Sequence, residues 1–299
     1  MHTLTKISFP GLGIGEMDLN SVAFSIGKTS IAWYALIITF GMVLAVAYVI
    51  YRAKSIGILY DEIIDFAIFV IPIGVLGARL YYVIMKIEEF HTIGEVFNIR
   101  NGGLAIYGGI IAGAITVIVL CKVKKIYFPA LGDCVVPGLI LAQSIGRWGN
   151  FINVEAYGSV TALPWRMCGS SIAYDLLRQG LITDAEVANI LNGTLGVHPT
   201  FFYESMWNLI GFVAINLFYK HKKYDGQIIL MVFGWYGLGR MMIEGLRTDS
   251  LYIFGVIRVS QLLAAVIFLA CTSLLIYFAI KRPQRPMYIR EKKTLKKGK

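Results

Sequence analysis

The chain has 299 residues, of which 57% are hydrophobic and only 15% charged. Soluble domains carry about 25% charged residues, so this composition and a mean hydropathy of +0.67 exclude an ordinary soluble globule and indicate an integral membrane protein. A net charge of +10 would suggest a nucleic-acid partner in a soluble chain. Here the basic residues gather in short clusters beside apolar runs, the pattern that orients membrane helices.

A spanning helix needs about 20 mostly apolar residues. Seven segments meet that length in chain order: Ile31–Tyr51, Ile63–Met85, Gly103–Leu120, Phe128–Ile145, Thr200–Tyr219, Gln227–Leu246 and Val259–Ile280. Glycine and proline interrupt the third and fourth. The first 30 residues lack a basic start, an apolar core and a small-residue cleavage site, so no cleaved signal peptide is expected. With the N-terminus outside, the inner segments are Arg52–Glu62, Cys121–Tyr127, Lys220–Asp225 and Lys281–Lys299. They carry 2, 3, 3 and 9 lysines and arginines, 17 of the 28 in the chain. The reading is therefore an all-α membrane protein of seven transmembrane helices, N-terminus outside and C-terminus cytoplasmic. Residues 1–280 form the membrane domain. Residues 150–199, mixed in composition and partly amphipathic, form a small extracytoplasmic head inserted between the fourth and fifth helices. Residues 281–299 form a basic cytoplasmic tail, read as a solvated strip beside anionic lipid heads. No internal repeat of the transporter kind is visible.

The four cysteines, Cys121, Cys134, Cys168 and Cys271, are widely spaced and show no CxxC or Cys/His pattern. Neither a disulfide framework nor a zinc site is expected, and those in or beside apolar runs read as buried small hydrophobes.

Ionisable side chains inside spans are costly and usually functional. Arg79 lies in the last third of the second span. The fourth runs into "GRWGNFINVEAYG", with Arg147, Asn150, Asn153 and Glu155. The sixth carries Tyr236, Arg240, Glu244 and Arg247 near its outer end, with Arg240 roughly 20 Å along a core about 30 Å thick. The costly groups thus converge on the outer half of the membrane, where they would close a pocket. Tyr236, Arg240, Glu244 and Arg247 recur every three or four residues and share one helical stripe. Such a stripe is either an internal ladder stabilising the bundle, or two arginines facing an anion while the glutamate orients one of them. Arginine suits the second role, because its planar fork grips phosphate or carboxylate bidentately. In the third span Gly102, Gly103, Gly108, Gly109 and Gly113 thin one surface. They allow close helix packing, or backbone approach to a lipid with Tyr107 in the cavity.

The signature "GRWGNFINVEAYG" resembles that of the bacterial prolipoprotein diacylglyceryl transferase family. "GARLYYV", "GGLAIYGGIIAG", "HPTFFYES" and "YGLGRMMIEGLRTD" are similar to the family's other blocks and stand in the same order over most of the chain. The resemblance implies transfer of a diacylglyceryl group from phosphatidylglycerol to the lipobox cysteine of a prolipoprotein, forming a thioether and releasing glycerol phosphate. It also implies a seven-helix fold with a small outer head, in the bacterial cytoplasmic membrane, with the active site towards the outer leaflet. The substrate brings the nucleophile, so the enzyme needs no serine or cysteine of its own. A free thiol, with a pKa of about 8.5, needs a base or a positive field, and the leaving phosphate needs fixed positive charge. Arg147 and Arg240 are expected to supply that charge, with Arg247 helping. Asn150, Asn153 and Glu155 would shape the headgroup pocket, Glu244 would hold Arg240, and Tyr34 and Tyr236 would meet the lipid head. Gly102 and Gly103 complete the expected phosphatidylglycerol-binding set. Many family members carry a histidine, often taken as the base, where this chain has Tyr107. A phenol with a pKa near 10 is a poor base, so either Tyr107 only hydrogen bonds, or arginines activate it, or Glu155 or Glu244 takes the proton. His198 is either an acid–base group or a structural one. No metal, cofactor or nucleic acid is implied. The rival class is a seven-span lipid or anion transporter, against which the one-sided clustering argues. Asp61 and Asp65 lack the aspartate array of metal-dependent alcohol phosphotransferases.

Overall fold

A computed structural model describes residues 4–27, 29–98, 102–248, 252–253, 257–281 and 287–290. The chain opens with two antiparallel hairpins, β1 (Leu4–Phe9) with β2 (Ile14–Asn20) and β3 (Val22–Ile26) with β4 (Thr29–Ala32). Then come α1 (Trp33–Ala53), α2 (Tyr60–Met85), the short α3 (Ile93–Phe97), α4 (Ile106–Lys124) and α5 (Phe128–Asn153). After α5 follow β5 (Val160–Thr161), α6 (Ser170–Arg178), α7 (Asp184–Leu191) and β6 (Gly196–Val197), with β5 paired to β6. The chain ends with α8 (Thr200–Phe218), α9 (Gln227–Glu244), a small β7–β8 hairpin (Tyr252–Ile253, Ile257–Arg258) and α10 (Val259–Lys281).

Among the described residues, six helices are long and apolar enough to cross a membrane: α1, α2, α4, α5, α8 and α10. The protein is a helical, multi-pass membrane protein. The seventh expected span, α9, is helical at 18 residues but lies outside that set, because Gln227, Arg240 and Glu244 dilute its apolar content. The expected helical class holds for the spans, and the described residues before α1 add two hairpins that the sequence reading did not foresee, the second of which takes Ile31 and Ala32 from the expected first span. Three predicted boundaries also move. The third span starts at Ile106 rather than Gly103, since Gly102 and Gly103 take left-handed backbone (φ +84° and +74°) that ends helical propagation there. The fourth runs eight residues further, to Asn153, so the polar signature is itself the last turns of a helix. The sixth ends at Glu244, leaving Arg247 just beyond it.

Two compact units are present. The first comprises Met1–Ala45, Val136–Lys223 and Gln227–Gln284. Within it β1, α6, α7 and β6 share a core of Ile7, Met167, Ile172, Leu176, Ile190 and Val197. Ser8 and Cys168 exchange backbone hydrogen bonds of 2.9 Å, tying β1 to the segment before α6. The same unit joins α5 to α8 through buried hydroxyls: Ser144 Oγ donates to Ser205 O at 2.8 Å, and Ser205 Oγ to Ser144 O at 2.9 Å. It joins α8 to α9 through a reciprocal tryptophan pair. Trp207 Nε1 donates to Trp235 O at 3.0 Å, Trp235 Nε1 donates to Trp207 O at 2.9 Å, and the rings stack 4.4 Å apart.

The second unit comprises Val46–Val135, Tyr224–Gly226 and Arg285–Lys299. There α2 and α4 meet at Gly77 and Gly108. A Cβ on Gly108 would lie 2.3 Å from the Gly77 carbonyl oxygen, so the close-packing role of the α4 glycines holds at this position. The described residues of the tail are not a free strip. Arg290 N donates to Ile56 O at 3.0 Å, Arg290 Nη2 to Lys124 O at 3.0 Å, its Nη1 pairs with Glu62, and Tyr288 N donates to Asp225 Oδ2 at 2.7 Å. The basic tail therefore satisfies helix-end carbonyls and an acidic first turn before it continues.

Candidate active site

In α5, Arg147 and Asn150 are three residues apart on one helical face, and Arg147 Nη1 donates to Asn150 Oδ1 at 3.3 Å. Past the helix end the chain turns sharply. Val154 and Ala156 both adopt left-handed backbone (φ +53° and +57°), a costly conformation for a β-branched residue and one found at functional sites. The turn brings Glu155 back onto the helix end, where its Oε1 accepts from Asn150 Nδ2 at 2.8 Å and Asn153 Nδ2 at 3.4 Å. Backbone bonds then stitch this segment to its neighbours: Gly158 N to His198 O at 2.9 Å and Ser159 N to Leu246 O at 2.7 Å. The signature thus lies between the start of α8 and the end of α9.

Sequence reasoning missed the residue at the centre. Glu204, one turn into α8, has a side chain only 6% exposed. Its Oε2 is 2.5 Å from Arg147 Nη2, and its Oε1 is 3.2 Å from Arg240 Nη1 and 3.1 Å from Arg247 Nη1. Arg240 Nη2 lies 2.5 Å from Glu244 Oε2, and Glu244 is itself buried. Arg258 Nη1 donates to the Glu244 carbonyl oxygen at 2.5 Å. Three guanidiniums thus meet two carboxylates among these five side chains. The missed signal was available: an acidic residue inside the apolar fifth span, within the quoted block "HPTFFYES", falls under the same cost rule as the arginines.

Tyr34 lies against α5 at Gly149, where a Cβ would come within 2.6 Å of its ring. Tyr236 lines a small cavity with Glu204, Arg240 and Trp207. On the adjacent faces of α5 and α8, one residue round from Arg147 and Glu204, an apolar groove of about 490 Å³ opens between Trp33, Phe40, Leu141, Trp148, Ser205 and Leu209.

The remaining expected residues are Tyr107, Gly102 and Gly103 of the second unit and His198 of the first. Tyr107, in the first turn of α4, is half-exposed in the second unit. Gly102 and Gly103 turn their carbonyls to Arg79 Nη1, each at 2.9 Å. Arg79 also donates to the carbonyls of Val96, Glu95 and Asn98 at 2.8, 2.7 and 3.1 Å, so backbone oxygens take every polar direction of its guanidinium. It is a loop-holding arginine rather than a member of the anion-facing group. His198 lies just before α8. Trp165 Nε1 donates to Tyr203 Oη at 2.6 Å, and Tyr203 Oη is 3.2 Å from His198 Nδ1. An indole only donates, so the tyrosine hydroxyl hydrogen is directed to Nδ1 and the histidine proton sits on Nε2. Burial lowers the His198 pKa below the usual imidazole value, favouring this neutral form.

The family model described as prolipoprotein diacylglyceryl transferase matches residues 21–277. The chain belongs to the prolipoprotein diacylglyceryl transferase family. It is similar to proteins named phosphatidylglycerol–prolipoprotein diacylglyceryl transferase from three bacteria. Identity is 40% with that of Clostridioides difficile strain 630, covering 83% of this chain and 91% of the relative. It is 42% with that of Finegoldia magna, covering 84% and 93%. It is 37% with that of Listeria innocua serovar 6a, covering 94% and 97%. As a member of this transferase family, the chain has its whole arginine cluster inside the matched region, and the match leaves out β1, β2 and the tail.

Proposed function

We propose that the chain transfers the diacylglyceryl group of phosphatidylglycerol to the lipobox cysteine thiol of a prolipoprotein. A carbon–sulfur bond forms at the glyceryl carbon, and the bond from that carbon to the phosphate oxygen breaks. Glycerol phosphate leaves with the electron pair, and the thiol proton ends on the leaving phosphate, so atoms and charge balance. The observation that carries this reading is the gathering of Arg147, Arg240 and Arg247 around one carboxylate, beside an apolar groove. The phosphodiester fits the first and the acyl chains fit the second.

Arg147 and Arg240 hold the phosphate and stabilise the charge that grows on it as the carbon–oxygen bond opens; Arg247 adds to their field. Glu244 fixes Arg240. Tyr34 and Tyr236 offer hydroxyls to the headgroup. Glu155, oriented by Asn150 and Asn153, relays the thiol proton. A carboxylate is a weak base for a thiol, and the arginine field compensates by stabilising the thiolate.

In this reading all seven long helices cross, with the N-terminus outside the bacterial cytoplasmic membrane. The lower apolarity of α9 does not argue against a crossing, because its polar groups pair with Glu204 and its Gly237 abuts the Ala264 carbonyl of α10. The core around Ile172 and Leu176 forms the extracytoplasmic head. Arg147 is near the end of α5 that leads into it and Glu204 near the start of α8 that leaves it, which supports a site towards the outer leaflet in this reading.

The test mixes purified protein in detergent micelles with phosphatidylglycerol and a lipobox peptide, and follows the peptide by mass spectrometry. A diacylglyceryl mass on the cysteine, lost in Arg147→Ala and kept in Tyr107→Phe, is the expected result. No adduct from folded wild type would overturn the reading.

A further inference from the structure

Three arginines from different parts of the chain do not approach one another unaided. Arg147 comes from α5, Arg240 from α9 and Arg247 from beyond α9, and like charges this close repel. Among the described residues Glu204 is within ion-pair distance of all three, at 2.5, 3.2 and 3.1 Å. A carboxylate has about four acceptor sites, and the arginines share them. Its Oε1 takes Arg240 and Arg247, while Oε2 takes Arg147 and a second, 3.4 Å contact from Arg240. The backbone that carries Glu204 is fixed on both sides. The next residue, Ser205, is bonded to Ser144 of α5, one turn before Arg147. Three residues on, Trp207 is locked to Trp235 of α9, five residues before Arg240.

We infer that Glu204 is the positioning residue of the site: an internal carboxylate that gathers the three guanidiniums into one anion-binding fork before the lipid phosphate arrives. This inference rests on the transferase reading above and goes beyond it. It assigns the arrangement of the arginines to a glutamate that need not touch the reacting atoms. Without its charge the guanidiniums separate, and the phosphate meets them one at a time.

The micelle assay is run on wild type, Glu204→Gln and Glu204→Asp, with the KM for phosphatidylglycerol and inhibition by inorganic phosphate as readouts. In Glu204→Gln the KM is expected to rise at least about tenfold, the size of one lost charge-assisted hydrogen bond, and phosphate inhibition to weaken with it. Glu204→Asp keeps the charge but draws it back by one methylene, and is expected between the two. A wild-type KM in Glu204→Gln overturns the inference. So does phosphate inhibition that tightens while turnover is kept, because Glu204 would then compete for the arginines rather than gather them. If Glu204→Gln does not fold, Glu204→Asp decides alone: a raised KM supports the inference and a wild-type KM overturns it. Failure of both variants to fold would make Glu204 a residue of the fold and overturn it too. Absence of transfer in wild type would sink the transferase reading instead, so the two failures are distinguishable.

Discussion

The register of α8 against α9 rests on two glycines, and this can be tested. In the tryptophan pair each ring lies over a glycine of the opposite helix. A Cβ on Gly239 would be 2.1 Å from Trp207 Nε1, and one on Gly211 would be 2.2 Å from Trp235 Nε1. An aromatic nitrogen and a methyl carbon cannot approach so closely, so Gly239→Ala must push the Trp207 ring outward by more than an ångström. That breaks its 3.0 Å bond to Trp235 O and opens the 4.4 Å stack. Overpacking of this kind costs about 1–3 kcal/mol, and the lost hydrogen bond adds about 0.5–1.5 kcal/mol. The expected total of about 2–4 kcal/mol corresponds to a fall in apparent Tm of roughly 3–6 °C for a chain of this size. Because Glu204 and Arg240 flank the pair, transfer activity should fall as well, with the KM for phosphatidylglycerol rising. The assays are thermal unfolding in detergent and the micelle transfer reaction. Gly211→Ala should behave alike. The double variant should lose clearly less than the sum of the two, since one clamp can be broken only once. A Gly239→Ala protein with unchanged Tm and activity, or strict additivity in the double variant, would refute the idea that the pair sets the register.

Arg79→Lys should destabilise the second unit by about 3 kcal/mol or more, because an ammonium cannot serve five carbonyls and leaves buried acceptors unmet; faster proteolysis between α2 and α4 is the measurement. On α6, the Tyr157 hydroxyl 2.5 Å away and the neighbouring Arg178 hold the Asp175 carboxyl below its usual pKa. A depressed carboxyl stabilises the fold above its unfolded pKa of about 3.9 and loses that contribution as pH falls through the folded value. Tm should therefore drop below about pH 4 in wild type and less steeply in Asp175→Asn. His198 acts in the same sense at higher pH. Burial lowers its pKa, so the unfolded chain takes up the proton first and stability declines as pH falls below about 6.5, a slope that His198→Gln should flatten. Arg290→Ala should lower Tm and free the end of the chain to proteases, through loss of its side-chain bonds to Glu62 and Lys124.

The sequence revealed the apolar helices because a bilayer demands about 20 apolar residues in a row, which is a strong local signal. It also showed where the costly groups gather, since each arginine in an apolar run stands out alone. The hairpins before α1 escaped because strands of six and seven residues at a chain end carry weak periodicity and no apolar run. Glu204 escaped for a different reason. A stripe such as Tyr236, Arg240, Glu244 and Arg247 is legible because its partners lie within one helix. The link from Glu204 to Arg147 and Arg247 spans 57 and 43 residues, and no spacing rule encodes it. Only the α5–α8 and α8–α9 contacts bring those side chains together.

Donor accounting separates arginines that the sequence treats as equals. Arg79, Arg147 and Arg240 all sit in apolar helices and all satisfied the same cost rule. Arg79 gives its hydrogen bonds to five neutral carbonyls and lies over the rings of Tyr82 and Phe90, at 5.8 and 5.1 Å. Carbonyls satisfy its geometry, and among the described residues it forms no ion pair. Arg147, Arg240 and Arg247 instead divide one carboxylate, with Glu244 as a second, so their forks are aimed at an anion. A guanidinium spent on backbone holds a loop. Guanidiniums that share one counter-ion already stand in a fork that suits an anion such as a phosphodiester.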